Sequence, residues 1–138
     1  MSNSSSSIVP LIGRILISPI FILAGISKFM NFSVITGYAT GAHLPLPKVA
    51  LACAAAIQLL GGLAILTGFH TKVAAWIVFL FLIPTTLVLH NFWAMAGPER
   101  TINMNHFETN LAIMGGLLIL ATFGAGAFSV DSARAPRD

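Results

Sequence analysis

Charged residues are scarce in this sequence of 138 residues, since Asp, Glu, Lys and Arg together make up only 8%. A soluble globular domain carries about 25% charged residues, which form the surface that water solvates. Hydrophobic residues account for 57% of the chain, and its mean hydropathy is +0.91. This composition excludes a soluble enzyme, a disordered chain and a nucleic-acid-binding module. It predicts a small polytopic membrane protein, with the lipid bilayer as its first partner.

Cysteine is nearly absent too, because Cys53 is the single one and lies inside an apolar run. A lone cysteine excludes an intrachain disulfide and a Cys-x-x-Cys redox motif, and we expect a small buried side chain here. No HExxH motif is present, so we predict no metal site. The opening MSNSSSS lacks the basic residues of a signal peptide, and we expect the apolar segment after it to be retained.

Four apolar runs fill most of the sequence, at about residues 8–29, 49–69, 73–96 and 107–128. Each is close to the ~20 residues that a helix needs to cross about 30 Å of hydrocarbon. Backbone groups in lipid must bond within their own segment, so these runs are expected to be helices. The sequence therefore predicts an all-α integral membrane protein, built as an antiparallel four-helix bundle.

The remaining segments are expected to be tails and loops around one four-span domain, residues 8–131. We predict a disordered N-terminal tail, residues 1–7, and a C-terminal tail, residues 132–138. The longest loop, residues 30–48, has room for a short interfacial segment. Lys and Arg residues near the span ends number four on the side of both termini and three on the other side. This difference favours cytoplasmic termini.

Two segments at the ends of the second and fourth runs are alike: GGLAILTGF at 61–69 and GGLLILATF at 115–123 agree at six of nine positions. The preceding runs contain Pro19 and Pro84. Two parallel helix-hairpin repeats explain this pattern, as does chance similarity in a sequence rich in Leu and Gly. Broken helices in related repeats are typical of transporters, which favours a small-solute or lipid translocator acting as a dimer.

Polar residues inside the runs are the main candidates for function, because an ionisable group in a span costs about 2.5–3.5 kcal/mol. Arg14 and Lys28 are fourteen residues apart, which places them on one stripe of the first helix. That stripe is expected to face the bundle interior, with snorkelling to the headgroups as the alternative. Gln58 lies near the middle of the second run, where its amide bonds a neighbouring helix or contacts a ligand.

A second group of polar residues lies at one side of the membrane: His90 and Trp93 close the third run, and Glu108 and Asn110 open the fourth. A quinone needs an apolar slot, aromatic neighbours, and donors such as His, Arg or Gln for its carbonyls. We therefore predict a quinone or partner pocket with these residues: Arg14, Lys28, Gln58, His90, Trp93, Glu108 and Asn110. An ordinary interfacial belt is the alternative for His90 and Trp93.

The sequence resembles the DoxX family of small four-span bacterial membrane proteins. The resemblance rests on GRILISPIFILAGISKF (13–29), IQLLGGLAILTGFHTKVAAW (57–76), LHNFWAM (89–95) and HFETNLAIMGGLLILATFGAGAFSVD (106–131). It implies an inner-membrane location and a link to thiosulfate–quinone oxidoreduction. Two positions depart from the family pattern: Gln58 replaces a common acidic residue, which weakens a proton-relay role, and Thr109 replaces a common lysine.

No complete catalytic constellation is visible, so the leading hypothesis is a non-catalytic membrane subunit or adaptor of a redox-linked complex. It predicts a redox partner protein, and it leaves a homo-oligomer open. The alternative is a quinone-reactive oxidoreductase subunit, whose electrons come from a partner because the chain carries no haem or flavin motif. No cofactor of its own is predicted beyond such a quinone.

Overall fold

The structure, a computed structural model, describes residues 4–41 and 43–135, and these form helices joined by short connections. The long helices are α1 (Ser4–Met30), α3 (Pro47–Thr67), α4 (Thr71–Leu89) and α5 (Gly97–Phe123). Two shorter ones are α2 (Phe32–Gly41) and α6 (Val130–Arg134), and a 3₁₀ turn covers Phe92–Ala94. No strand occurs in the described ranges, and the predicted all-α class is confirmed.

Four helical segments are long and apolar enough to cross a membrane: Ile8–Met30, Pro47–Thr67, Thr71–Ala94 and Gly97–Phe123. The last begins well before the apolar run near residue 107, because a proline in the first turn starts the helix and polar residues continue it. Its 27 residues span about 40 Å, which exceeds the ~30 Å of hydrocarbon. The polar start of α5 therefore extends beyond the membrane core.

The four long helices form an antiparallel bundle in which α1 packs on α3, α3 on α4, and α4 on α5. Helix α1 also approaches α5, where the side chain of Ile17 lies beside Gly116. We call the end where α1 begins and α6 lies the terminal end, and the end with α2 and the 3₁₀ turn the loop end. The loop predicted to hold an interfacial segment contains α2.

Close packing in the bundle depends on glycine, since lipid gives helices no hydrophobic drive to associate. A Cβ atom on Gly25 of α1 would lie 2.7 Å from the backbone nitrogen of Leu59 in α3. One turn along the same contact, a Cβ atom on Gly62 would lie 2.8 Å from the side chain of Ile22. The apolar core around them includes Phe21, Ile65, Val78, Leu82 and Leu117.

The polar stripe predicted on α1 does face the interior: Arg14, Ser18 and Gly25 are buried, and Lys28 is partly buried. By contrast, the expectation of a buried Cys53 is wrong, because its side chain is exposed on the outer face of α3. The buried positions of α3 follow the helical period through Leu51 and Ala55, and residue 53 falls on the opposite side.

The predicted tails lie partly outside the described residues, which exclude 1–3 and 136–138. Within the described part, α1 already begins at Ser4, and α6 includes the first residues of the segment 132–138. Ser129 caps α6, because its hydroxyl accepts a hydrogen bond from the Ser132 amide at 3.1 Å. The chain after α5 contacts the bundle, since the backbone amide of Asp131 donates to the carbonyl oxygen of Gly68 at 2.8 Å.

Candidate functional site

The predicted site residues divide between the two ends of the bundle. Arg14 lies at the terminal end, where it contacts the last turn of α3. His90 follows α4 at the loop end. Helix α4 has 19 residues, so about 29 Å separates the two ends along its axis. Arg14 and His90 therefore do not share a pocket.

Arg14 is a buried guanidinium that joins three parts of the chain, with only 1% of its surface exposed. Its Nη1 donates to the carbonyl oxygen of Leu66 at 2.8 Å and to that of Ile65 at 3.4 Å. Its Nη2 donates to the carbonyl oxygen of Phe128, in the segment that follows α5. The cation thus satisfies carbonyls at the C-terminus of α3, where the helix dipole is negative.

Asp131 makes the matching contact at the start of α4, and sequence reasoning did not single it out. Its carboxylate accepts hydrogen bonds from the backbone amides of His70 at 2.6 Å and Thr71 at 2.9 Å. Burial would raise the pKa of Asp131, but hydrogen bonding by Thr71 and His70, together with the charge interaction with His70, outweighs it and lowers the pKa below its usual value. The sequence clue was an acidic residue just after a glycine-rich turn.

At the loop end, His90 is oriented by α5. Its Nδ1 lies 3.0 Å from the side-chain oxygen of Asn103, which fits an Nδ1–H donor, and Nε2 has no hydrogen-bond partner in the described part of the chain. The ring of His106 lies 5.1 Å from the His90 ring, measured between centroids. In the described part of the chain, no three His, Cys, Asp or Glu side chains are grouped to hold a metal ion.

Trp93 belongs to an aromatic cluster beside this pair. Its ring packs edge to face against Phe92 at 5.4 Å and against Phe107 at 5.9 Å. The guanidinium of Arg100 lies 5.8 Å from the Phe92 centroid. Trp93 is 57% exposed. Glu108, which follows Phe107 in α5, is exposed as well. Such a cluster is typical of the boundary between lipid and water.

The remaining predicted residues lie between the loop end and the middle of the bundle, with Gln58 near the middle of α3. Asn110 of α5 donates through Nδ2 to the hydroxyl of Thr86 in α4 at 3.0 Å, so it bonds two helices together. Gln58 is 8% exposed, and its Oε1 has no hydrogen-bond partner among the described residues. Lys28 is partly buried near the end of α1. Sequence reasoning missed Thr86 and Asn103, whose roles depend on contacts between helices.

Comparison with known proteins identifies related chains. A family model described as DoxX matches residues 9–91. The inner membrane protein YphA of Escherichia coli is 32% identical over 129 residues, covering 94% of this chain and 92% of the relative. The inner membrane protein YqjF, from the same organism, is 36% identical over 124 residues, covering 88% of each chain. The yeast ER-derived vesicles protein ERV29 is 33% identical over 75 residues, 54% of this chain and 24% of that protein. No solved structure matches.

Proposed function

This chain belongs to the DoxX family of membrane proteins, and from that premise we propose that it is a non-catalytic membrane subunit or adaptor of a redox-linked complex. We propose the bacterial inner membrane as its location, because two relatives are inner membrane proteins. The count of Lys and Arg residues supports cytoplasmic termini, which places the loop end on the opposite side.

The observation that carries the adaptor proposal is the polar start of α5. This helix is longer than the hydrocarbon core is thick, and its first turns present the exposed side chains of Glu99 and Arg100. The exposed Trp93 packs on Phe92, and the guanidinium of Arg100 lies over the same Phe92 ring. Charged and aromatic groups on a projecting, rigid helix suit a protein partner, since aromatic residues and Arg are enriched at interfaces.

The interior of the bundle supports a binding role better than a catalytic one. Arg14 already donates to three carbonyl oxygens, and Asn110 already donates to Thr86. These side chains therefore stabilise the bundle and are not free to activate a substrate. His90 keeps one ring nitrogen for a ligand, but no acid, base and nucleophile converge on it among the described residues.

Mild detergent extraction followed by affinity purification tests the adaptor proposal. We expect a partner protein to copurify with the wild type, and E99Q/R100Q to lose it. The variant K72Q/R134Q is the control for location, because it also removes two exposed charges, both of them basic, but at the terminal end. Partner recovery that is equal in both variants, or a wild-type chain that always migrates alone, contradicts the proposal.

A quinone-reactive subunit is the second candidate, favoured by the Nε2 of His90, which has no hydrogen-bond partner among the described residues, and by the exposed Trp93 three positions later. Such a site would include the loop-end residues but not Arg14. The unpartnered amide oxygen of Gln58 accepts hydrogen bonds only, so it suits a reduced quinol hydroxyl rather than a quinone carbonyl. The same purified material decides the question, because a preparation without quinone or ubiquinone-dependent activity removes this candidate.

A further inference from the structure

A cleft opens at the terminal end, between the start of α4 and the segment that joins α5 to α6, and both polar and apolar residues line it. Its volume is about 400 Å³. Its polar lining residues are His70, Lys72, Ser129, Asp131 and Ser132. Since α4 enters the membrane at Thr71, this cleft lies at the depth of the lipid headgroups.

An apolar groove of about 350 Å³ leads away from this cleft along α3 and α4. Ala56, Gly61 and Ala64 make it concave, because their small side chains leave space between the larger ones around them. His70 and Val73 line both the cleft and the groove, so the two cavities meet there. The combined cavity thus has polar side chains at its membrane-surface end and an almost entirely apolar lining toward the membrane centre.

Two cations flank the junction of the cleft and the groove. Lys72 lines the cleft. The guanidinium of Arg134 lies 5.1 Å from the ring centroid of Phe69, which lines the groove. Asp131 also lines the cleft, and its carboxylate is engaged by two backbone amides. Arg14 is engaged by three carbonyls, so among the described residues of this end Lys72 and Arg134 are the cations available to an incoming anion.

We propose that this junction binds an anionic phospholipid of the surrounding bilayer, with its phosphate between Lys72 and Arg134 and one acyl chain in the groove. Basic pockets beside membrane helices attract anionic headgroups, at about 1 kcal/mol per cation near the surface. A zwitterionic lipid gains less, because its own cation is repelled by the two basic side chains. In the groove, one side of the acyl chain contacts fixed protein side chains instead of other lipid chains.

Native mass spectrometry of the purified chain tests the headgroup contacts, with phosphatidylglycerol and phosphatidylcholine supplied in equal amounts. We expect the wild type to retain phosphatidylglycerol, and K72Q/R134Q to reduce its preference for this lipid by about 30-fold. The control K48Q/R100Q loses the same charge at the loop end and should keep the preference. Equal retention of both lipids by the wild type, or equal behaviour of the two double variants, overturns the proposal.

Filling the groove tests the acyl-chain contact independently. Ala56→Phe occupies the groove and should reduce retention of phosphatidylglycerol at least tenfold, whereas Ala52→Phe lies on the exposed face of the same helix and should not. Gel filtration establishes that each variant is folded and monodisperse before it is compared. Retention that is unchanged in Ala56→Phe overturns the groove contact. Displacement of the lipid by an equal concentration of glycerol 3-phosphate also overturns the groove contact, because it shows that the protein recognises the headgroup alone.

Discussion

Replacing Arg14 by methionine should destabilise the bundle strongly, although the new side chain is apolar and of similar length. Two carbonyl oxygens, those of Leu66 and Phe128, would lose a charged donor. No described backbone amide outside the regular helical pattern donates to the Leu66 oxygen, so methionine leaves it unsatisfied. Hydrogen bonds to charged groups contribute about 1.5–3 kcal/mol each, which gives a loss of about 3–6 kcal/mol for the two.

Two further substitutions distinguish the loss of hydrogen bonds to carbonyls from the loss of a positive charge. Arg14→Lys keeps the cation but loses the planar fork that reaches both carbonyls, so we expect about half of the methionine effect. Lys48→Met removes an exposed cation and should change the free energy of unfolding by less than about 0.5 kcal/mol. Reversible unfolding in mixed micelles of SDS and a mild detergent measures these differences.

An Arg14→Met variant as stable as the wild type would contradict this prediction. A buried charge also carries a desolvation cost, and replacing buried ionic groups by apolar ones is neutral or stabilising in some proteins. If Arg14→Met matches the wild type within about 0.5 kcal/mol, that cost cancels the carbonyl contacts. Arg14 would then be dispensable for the connection between α3 and the segment after α5.

Two further predictions concern packing and pH. Gly25→Ala should lower the free energy of unfolding by about 1–3 kcal/mol, because the new Cβ atom meets the backbone of α3 at 2.7 Å. Gly13→Ala on the same helix is the control and should be neutral, because its Cβ atom has nothing within 4 Å. Unfolding in mixed micelles measures both variants. The pKa of Asp131 is lowered in the fold, so its stabilisation is complete above the unfolded pKa of about 3.9 and is lost as the pH falls through the folded pKa. Asp131→Asn should therefore cost about 1 kcal/mol at pH 7 and lose less stability than the wild type between pH 5 and pH 3; parallel pH profiles would contradict this.

Much of the fold follows from the sequence because the bilayer restricts the choices. A run of about 20 apolar residues must be a helix there, and short connections make neighbouring helices antiparallel. The helical period likewise predicted that Arg14 faces the bundle interior. The same period, had it been applied to α3, would have placed Cys53 on the outer face.

The candidate site was less predictable, since contacts between distant segments determine it. Sequence spacing placed His90 and Trp93 at one end, but the partner of His90 is Asn103, which depends on the register of α4 against α5. Asp131 comes after the last span, and nothing local indicates that it caps a helix 60 residues earlier in the chain. A side chain's hydrogen-bond partner is a property of the packed bundle.

The sequence by itself determined the class of this protein: hydrophobic length, scarce charge and four apolar runs leave only a helical membrane bundle, because backbone groups in lipid must bond within their own helix. Only the tertiary structure decided how the costly polar groups are used. It separated Arg14 from His90 by the length of a span, and it joined the segment after α5 to the ends of α3 and α4. The physical reason is that a buried polar group requires a partner, and the packing of the helices determines which partner lies within reach.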